Sequence, residues 1–231
     1  QAGLKEAKAA GIPVIAVEAV DCGESKPGAE NLFSSGGITY PGAPYTTDQL
    51  SYGPWITNYG RAAASSVIEA RKGQAKVIDF KETDSLATVY LDNGFVDQMK
   101  TCAGCKIVGT VEFTAADFGP KLQQKAAQAL LQHPEANGVM GSYDAPVTSG
   151  IAAAIQEAGL TKKLWTVGGE GDPPNVALVT AQNGQDAGVA DPIQWEMWTA
   201  VDGMNRIFHG DPQPRISYGI GLMVWDRDHN L

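Results

Sequence analysis

Residues 137–191 read NGVMGSYDAPVTSGIAAAIQEAGLTKKLWTVGGEGDPPNVALVTAQNGQDAGVAD. Short apolar runs at 137–142, 163–168 and 186–190 alternate with helical patterns at 146–158 and 174–182, and the punctuation between them is brief. That alternation is what a parallel sheet flanked by helices requires, so the fold class is α/β. Each of the three runs closes on a carboxylate: Asp144 after GVMGSY, Glu170 after LWTVGG and Asp191 after DAGVA. A fourth run, IPVIAVE at 12–18, closes on Glu18. In open α/β sheets the loops at the strand ends line the binding crevice, so repeated acids there point to a site rich in hydrogen-bond acceptors. A polyhydroxylated or cationic small molecule is the expected ligand.

The same alternation extends to both sides. A helix ends at Ala10, Gly11 caps it, and strand 12–18 follows. The Gly, Pro and Ser-rich stretch 21–54 is long for a connection and reads as an insertion or a crossing. Helix 57–71 then leads to strand 75–80. Thr83, Asp84 and Ser85 offer N-caps to helix 86–100, ahead of strand 105–113 and helix 118–132. Pro146 marks the start of helix 146–158. Helix 193–209 completes the series, and the tail 215–231 carries aromatic and β-branched residues suited to a last strand.

The chain has 231 residues, 43% hydrophobic and 19% charged, which suffices for one large or two modest cores. Its net charge of -9 opposes phosphate backbones and anionic membrane surfaces, so nucleic acid is not an expected partner. No apolar run reaches the length of about 18 residues that a membrane span needs. Cys102 and Cys105 form a C-x-x-C that precedes the strand-like KIVGTVEF, whereas a redox-active pair ordinarily opens a helix. A structural disulfide is therefore the leading reading, ahead of a free or metal-linked pair and of redox catalysis. A disulfide would imply an oxidising compartment. Cys22 is the odd one, and with no second C-x-x-C or nearby His pair a zinc site has little support.

The runs AKAAGIPVIAVE, GQAKVIDF, the helix around DNGF, HPEANGVMGSYD, LWTVGGEGD and GVADP occur in one order along residues 1–210. That ordered set resembles bacterial periplasmic sugar-binding proteins of the ribose-binding type, the type I periplasmic binding proteins. The resemblance implies two Rossmann-like lobes with parallel sheets that close on a ligand as a hinge. It divides the chain into an N-terminal lobe of 1–54 plus 192–222 and a C-terminal lobe of 55–191 plus 223–231. Proteins of that family begin with two further β/α units before the strand equivalent to 12–18, so the first lobe is expected to be incomplete here. The resemblance also implies a monomeric solute receptor of an ABC importer, with the membrane permease as partner. Its expected location is periplasmic or extracellular, with a lipid anchor upstream of Gln1 as an option.

By position, Glu18 falls on a ligand-binding acid of the family, Phe118 on a stacking aromatic, Tyr143 and Asp191 on amides, and Glu170 on an Asp. The helix start around Val89 to Asp92 has no Arg, where ribose binders hold their sugar with one, so ribose itself is not expected. The expected ligand set is Glu18, Asp92, Phe118, Tyr143, Glu170, Asp191 and Trp195. Carboxylates accept from two adjacent hydroxyls at once, and an aromatic ring covers the C–H face of a sugar or the face of a cation. With no matched Arg or Lys, neutral sugars and polyols rank ahead of cations, and anionic ligands come last.

Structural explanations compete at each position. Helix capping accounts for Asp144, turn chemistry competes at Glu170 and Asp191, core packing competes at Phe118, and packing is favoured for Trp195 with Trp198. Neither a nucleophile with its base, nor a metal cluster, nor a phosphate loop has the right context, so neither catalysis, a cofactor nor a metal is expected. GGEGDPP fails as a dinucleotide fingerprint because Pro174 stands where the third glycine belongs. The main alternatives are the ligand-binding core of a transcription regulator and a sensor ectodomain.

Overall fold

The computed structural model describes residues 2–22, 26, 29–30, 32–34, 52–211 and 222–230. The chain divides into unit 1, Gln1–Ile56 with Pro192–Gly221, and unit 2, Thr57–Asp191 with Leu222–Leu231. In chain order the regular elements are α1 (Ala2–Ala9), α2 (Tyr52–Ala70), β1 (Lys76–Glu82), α3 (Leu86–Lys100), β2 (Lys106–Phe113), α4 (Pro120–Gln132) and β3 (Gly138–Met140). Then come α5 (Asp144–Pro146), α6 (Ala152–Glu157), β4 (Trp165–Val167), α7 (Pro173–Ala181), β5 (Ala187–Ala190), α8 (Ile193–His209) and β6 (Met223–Asp226). The single turn α5 joins α6 through a wider π segment, Val147–Ile151.

Unit 2 is built on one six-stranded sheet in the order β2-β1-β3-β4-β5-β6. The first five strands in that order pair parallel, and β6 closes the edge antiparallel to β5. One face carries the core of Ile78, Phe80, Phe113, Leu122, Leu130, Val139, Ile151 and Ile155. In α4 the buried positions are Leu122, Ala126, Ala129 and Leu130, the i, i+4, i+7, i+8 stripe that turns one side of a helix to the sheet. A side chain as fully buried as Phe80 contributes about 1.5–3 kcal/mol relative to leaving it exposed. In α3, Leu91, Phe95 and Met99 are buried at i, i+4 and i+8.

Most elements fall within a residue or two of the sequence expectation, and helices 86–100 and 193–209 coincide with it. Three differ for physical reasons. The helix expected from 57 begins at Tyr52, because Pro54 is tolerated in a first turn, where its missing N–H has no intrahelical partner to lose. The helix expected from 118 begins at Pro120, because Phe118 is extended and Gly119 has a φ of 88°. In unit 1 the strand expected over 12–18 does not form among the described residues. Val14 instead exchanges bonds with Ser34: its N–H donates to Ser34 Oγ at 2.8 Å, and its carbonyl accepts the Ser34 N–H at 2.7 Å. An extended segment counts as a strand only when a neighbour runs beside it, and no described residue of unit 1 supplies that ladder.

The expectations for most of 21–54 and for 215–221 fall outside the described residues. In the tail, the last strand is β6. Cys102 and Cys105, just past the end of α3, are joined in a disulfide, and Cys22 lies outside that bond. No described helix is long and apolar enough to cross a membrane.

Candidate functional site

The strand order sets the place of the site in unit 2. From β1 the chain runs out to β2 on one side, then crosses back to β3 on the other, so the helices diverge at the carboxyl ends of β1 and β3. Such a switch point leaves a crevice there. Its β1 side is Glu82-Thr83-Asp84 and its β3 side is Gly141-Ser142-Tyr143-Asp144; β4 adds Gly168 to Asp172 and β5 adds Asp191. None of these residues is Lys or Arg.

Glu82 closes β1 and is 4% exposed. Burial raises its carboxyl above the ordinary range, the hydrogen bond from the Tyr143 hydroxyl works the other way, and the neighbouring Asp84 carboxylate adds to the rise. Tyr143 is half-buried, and its hydroxyl is raised by burial first and by the Glu82 charge and hydrogen bond second. The pair places one acidic acceptor and one phenol on either side of the switch point. Glu82 was not among the expected residues. The apolar run marks its strand only over 75–80, two residues short of this fifth strand-end acid.

Asp144 does something other than cap its own helix. Its main-chain position is the first of α5, Tyr143 is the N-cap, and no side-chain cap bond forms there. The carboxylate is fully buried and reaches across to the β4 loop, where Oδ1 accepts the N–H of Gly169 at 3.0 Å and Oδ2 accepts those of Gly171 and Asp172 at 2.8 Å each. Gln185 Nε2 donates to Oδ1 at 3.2 Å, and Asn175 Nδ2 donates to the Asp144 carbonyl at 3.0 Å and to Gln185 Oε1 at 2.7 Å. The capping expectation is thus corrected. Pro173 and Pro174 open α7 without N–H groups, so the donors left at that helix start are the N–H groups before them, and Asp144 collects them. Burial raises the Asp144 carboxyl, and the N–H groups of Asp172, Gly171 and Gly169 oppose the rise.

This network also explains the GGEG sequence. A Cβ on Gly169 would lie 1.4 Å from the Tyr59 hydroxyl, and one on Gly168 would lie 2.6 Å from Gln185 Nε2. Next to Gly169, Glu170 adopts a φ of 54°, which few non-glycine residues do. Its N–H donates to the Val189 carbonyl at 2.9 Å and to the hydroxyl of the buried Tyr59 at 3.2 Å. The Tyr59 hydroxyl is raised well above its ordinary value, by burial first and then by the charges of Glu170, Asp144 and Asp191. The Glu170 side chain is half-buried at the strand end. Oxygens of Asp144, Glu170 and Asp172 come within 4.8 Å of one another, but those of Asp144 are already committed to four donors, which leaves poor support for an ion.

The other expected residues are distributed as follows. Asp191 is 8% exposed, and its N–H donates to the Glu170 carbonyl at 3.2 Å, so it borders the same strand ends. Asp92 is 6% exposed and turns inward to β1, where Lys81 Nζ meets it at 2.9 Å. Its neighbour Asp79 is raised well above the carboxylate range by burial and by Asp92 itself. Asp92 thus joins β1 to α3 through its contact with Lys81. Phe118 packs on the core with its ring 6.1 Å from that of Phe113, in line with its structural reading. In unit 1, Glu18 has a φ of 53° and comes within 4.8 Å of Glu196, a fully buried acid in the first turn of α8 that sequence reasoning missed. Trp195 is 50% exposed on α8.

Comparison with known proteins adds a family and a fold. The family model described as a periplasmic binding protein domain matches residues 1–211. No curated protein sequence matches the chain. Among solved structures, an ABC transporter periplasmic solute-binding protein from Actinobacillus succinogenes with bound D-allose is 18% identical with a TM-score of 0.78, covering 98% of this chain and 74% of its own. GanP, a glucose-galactose binding protein from Geobacillus stearothermophilus, is 21% identical with a TM-score of 0.66, covering 75% of this chain and 61% of its own. The fructose-binding periplasmic domain of a hybrid two-component system is 18% identical with a TM-score of 0.65, covering 75% of this chain and 57% of its own.

Proposed function

The chain belongs to the periplasmic binding protein domain family, and from that premise we propose that it is a receptor that reversibly binds a neutral sugar or polyol at the strand-end crevice of unit 2. The observation that carries this reading is the set of Glu82, Tyr143 and Glu170 at the ends of β1, β3 and β4, with no Lys or Arg in those strand-end loops. A carboxylate there accepts hydrogen bonds from neighbouring hydroxyls of one ligand, and such charge-assisted bonds are about twice as strong as neutral ones. The half-buried Tyr143 ring offers an apolar face to C–H groups and a phenol to an oxygen. A carboxylate or phosphate ligand would meet repulsion at the same place. The named relatives, which by their names bind allose, glucose and galactose, or fructose, support a sugar over an amine.

Asp191 is proposed as a further acceptor at the crevice edge. The receptor acts outside the cytoplasm, delivers its solute to an ABC importer and performs no catalysis. A second reading, the input domain of a sensor, is favoured by the relative from a two-component system. The test is a thermal-shift panel of hexoses, pentoses, polyols, amines and organic acids. A ligand at 100 times its dissociation constant adds about 2.7 kcal/mol of stability, which for a chain of this size raises Tm by roughly 5–10 °C. Stabilisation by sugars or polyols is expected; stabilisation by organic acids alone overturns the reading.

A further inference from the structure

We propose that Asp144 is a positioning residue for ligand binding: its buried carboxylate, locked by Gln185 and Asn175 and seconded by Tyr59, fixes the loop Gly168–Asp172 so that Glu170 presents its side chain to the crevice. The inference rests on the reading of that crevice as a sugar site. The geometry supports a mount built for one residue. Of the loop's five N–H groups, those of Gly169, Gly171 and Asp172 reach one carboxylate, that of Glu170 is shared between the Val189 carbonyl and the Tyr59 hydroxyl, and that of Gly168 donates to the Ala187 carbonyl.

The residues of this mount are buried beyond what a surface turn needs. Asp144 and Gln185 are 0% exposed and Tyr59 and Asn175 are 1% exposed, whereas Glu170, which they surround, is the half-buried group at the end of the strand. A turn required only for chain reversal does not call for four buried polar side chains, because each must be fully satisfied to avoid a desolvation cost. The positive φ of Glu170 is the second sign. A non-glycine residue persists in that region only where its surroundings over-determine it, and here the loop amides on either side are held. Functional groups need such support, since a contact misplaced by an ångström loses much of its strength.

Asp144 touches no ligand in this arrangement and acts through Glu170, which a double-mutant cycle resolves. The variants are Asp144→Asn, Glu170→Gln and the pair, prepared in the full chain. Affinity is measured by calorimetry with whichever of D-allose, D-galactose and D-fructose stabilises the chain most. Asp144→Asn is expected to weaken binding about tenfold or more in the wild-type background and by less than threefold in the Glu170→Gln background. Equal losses in both backgrounds overturn the proposal, since Asp144 would then contribute independently of Glu170.

A ligand-free measurement runs beside it. Amide hydrogen exchange at 169–172 is expected to accelerate at least tenfold in Asp144→Asn, with the sheet amides of β1 and β3 unchanged, and unaltered protection at 169–172 overturns the mount. If Asp144→Asn does not fold, Tyr59→Phe replaces it in both measurements with the same non-additivity expected. If no sugar binds the wild-type chain, the functional reading fails by itself, and the exchange data alone then decide whether Asp144 holds the loop.

Discussion

Replacing Gly60 or Gly94 with alanine sets two effects of known sign against each other. Alanine is the better helix former by about 1 kcal/mol, and both glycines lie inside helices, α2 and α3, so propensity alone predicts stabilisation. Packing predicts the reverse. A Cβ on Gly60 would stand 1.9 Å from the Leu91 carbonyl oxygen and 2.8 Å from the Phe95 nitrogen, and one on Gly94 would stand 1.9 Å from the Thr57 carbonyl oxygen. The two clashes are reciprocal, each helix pressing a glycine against the other's backbone, and backbone cannot rotate away as a side-chain tip does. Real contacts of this kind do not fall below 3.0 Å, so the helices must part by about 1 Å. Parting them disturbs the packing of the buried Leu91, Phe95 and Met99 of α3.

Overpacking of this sort costs about 1–3 kcal/mol and often more where backbone is involved. The net expectation, that cost less the propensity gain of about 1 kcal/mol, is a loss of up to about 2 kcal/mol, a fall in Tm of up to roughly 8 °C. Thermal unfolding followed by circular dichroism measures it, with Gly3→Ala as the control: that glycine lies in α1 with nothing within 4 Å of a Cβ, so only the propensity gain remains. If Gly60→Ala and Gly94→Ala both melt at or above the wild type, the close helix crossing in unit 2 is wrong.

Two further outcomes concern ionisation and the disulfide. Burial pushes Asp186 up to about 6, against the Thr166 N–H and the Arg71 charge, and it also raises Asp79 and Asp144. A raised acid keeps its proton longer in the folded state, so its contribution is intact below the ordinary carboxylate value near 4 and is lost as pH rises to about 6. Stability should therefore fall between pH 4 and 6, by about 1–3 kcal/mol for Asp186, and Asp186→Asn should flatten that slope in denaturant titrations. A slope of opposite sign refutes the burial argument. Reducing the disulfide of Cys102 and Cys105, three residues apart, opens a four-residue loop and should cost about 2 kcal/mol. The Cys102→Ser, Cys105→Ser double variant should then show no change in Tm on adding reductant, whereas the wild type should.

The parallel sheet of unit 2 was legible because its strands and helices have distinct periods and clear punctuation. The run 86–100 shows why: Ser85 precedes an i, i+4, i+8 stripe of Leu91, Phe95 and Met99, and the helix ends where Thr101 and the cysteine pair begin. The strand-end acids were legible as positions but not as roles. Asp144 followed by Ala-Pro has the local pattern of a helix cap, and nothing near it in sequence announces bonds to residues 25 to 28 positions away. Asp92 likewise has a partner, Lys81, on another element. Glu82 was missed through a strand boundary placed two residues early, and Glu196 because a buried acid in a first helical turn looks like an ordinary favourable charge. Long-range partners, which one sequence does not display, decided the role of Asp144.

The central claim, that an acid-lined crevice receives an uncharged polyhydroxylated ligand, is tested most directly by a matched pair. The aldohexose that stabilises the chain most and its uronic acid share one pyranose ring and differ by a carboxylate at C6, and both are titrated into the chain by isothermal calorimetry at pH 7. Saturable one-to-one binding of the sugar, with the uronic acid at least tenfold weaker, is the predicted result. Equal or tighter binding of the uronic acid would contradict it.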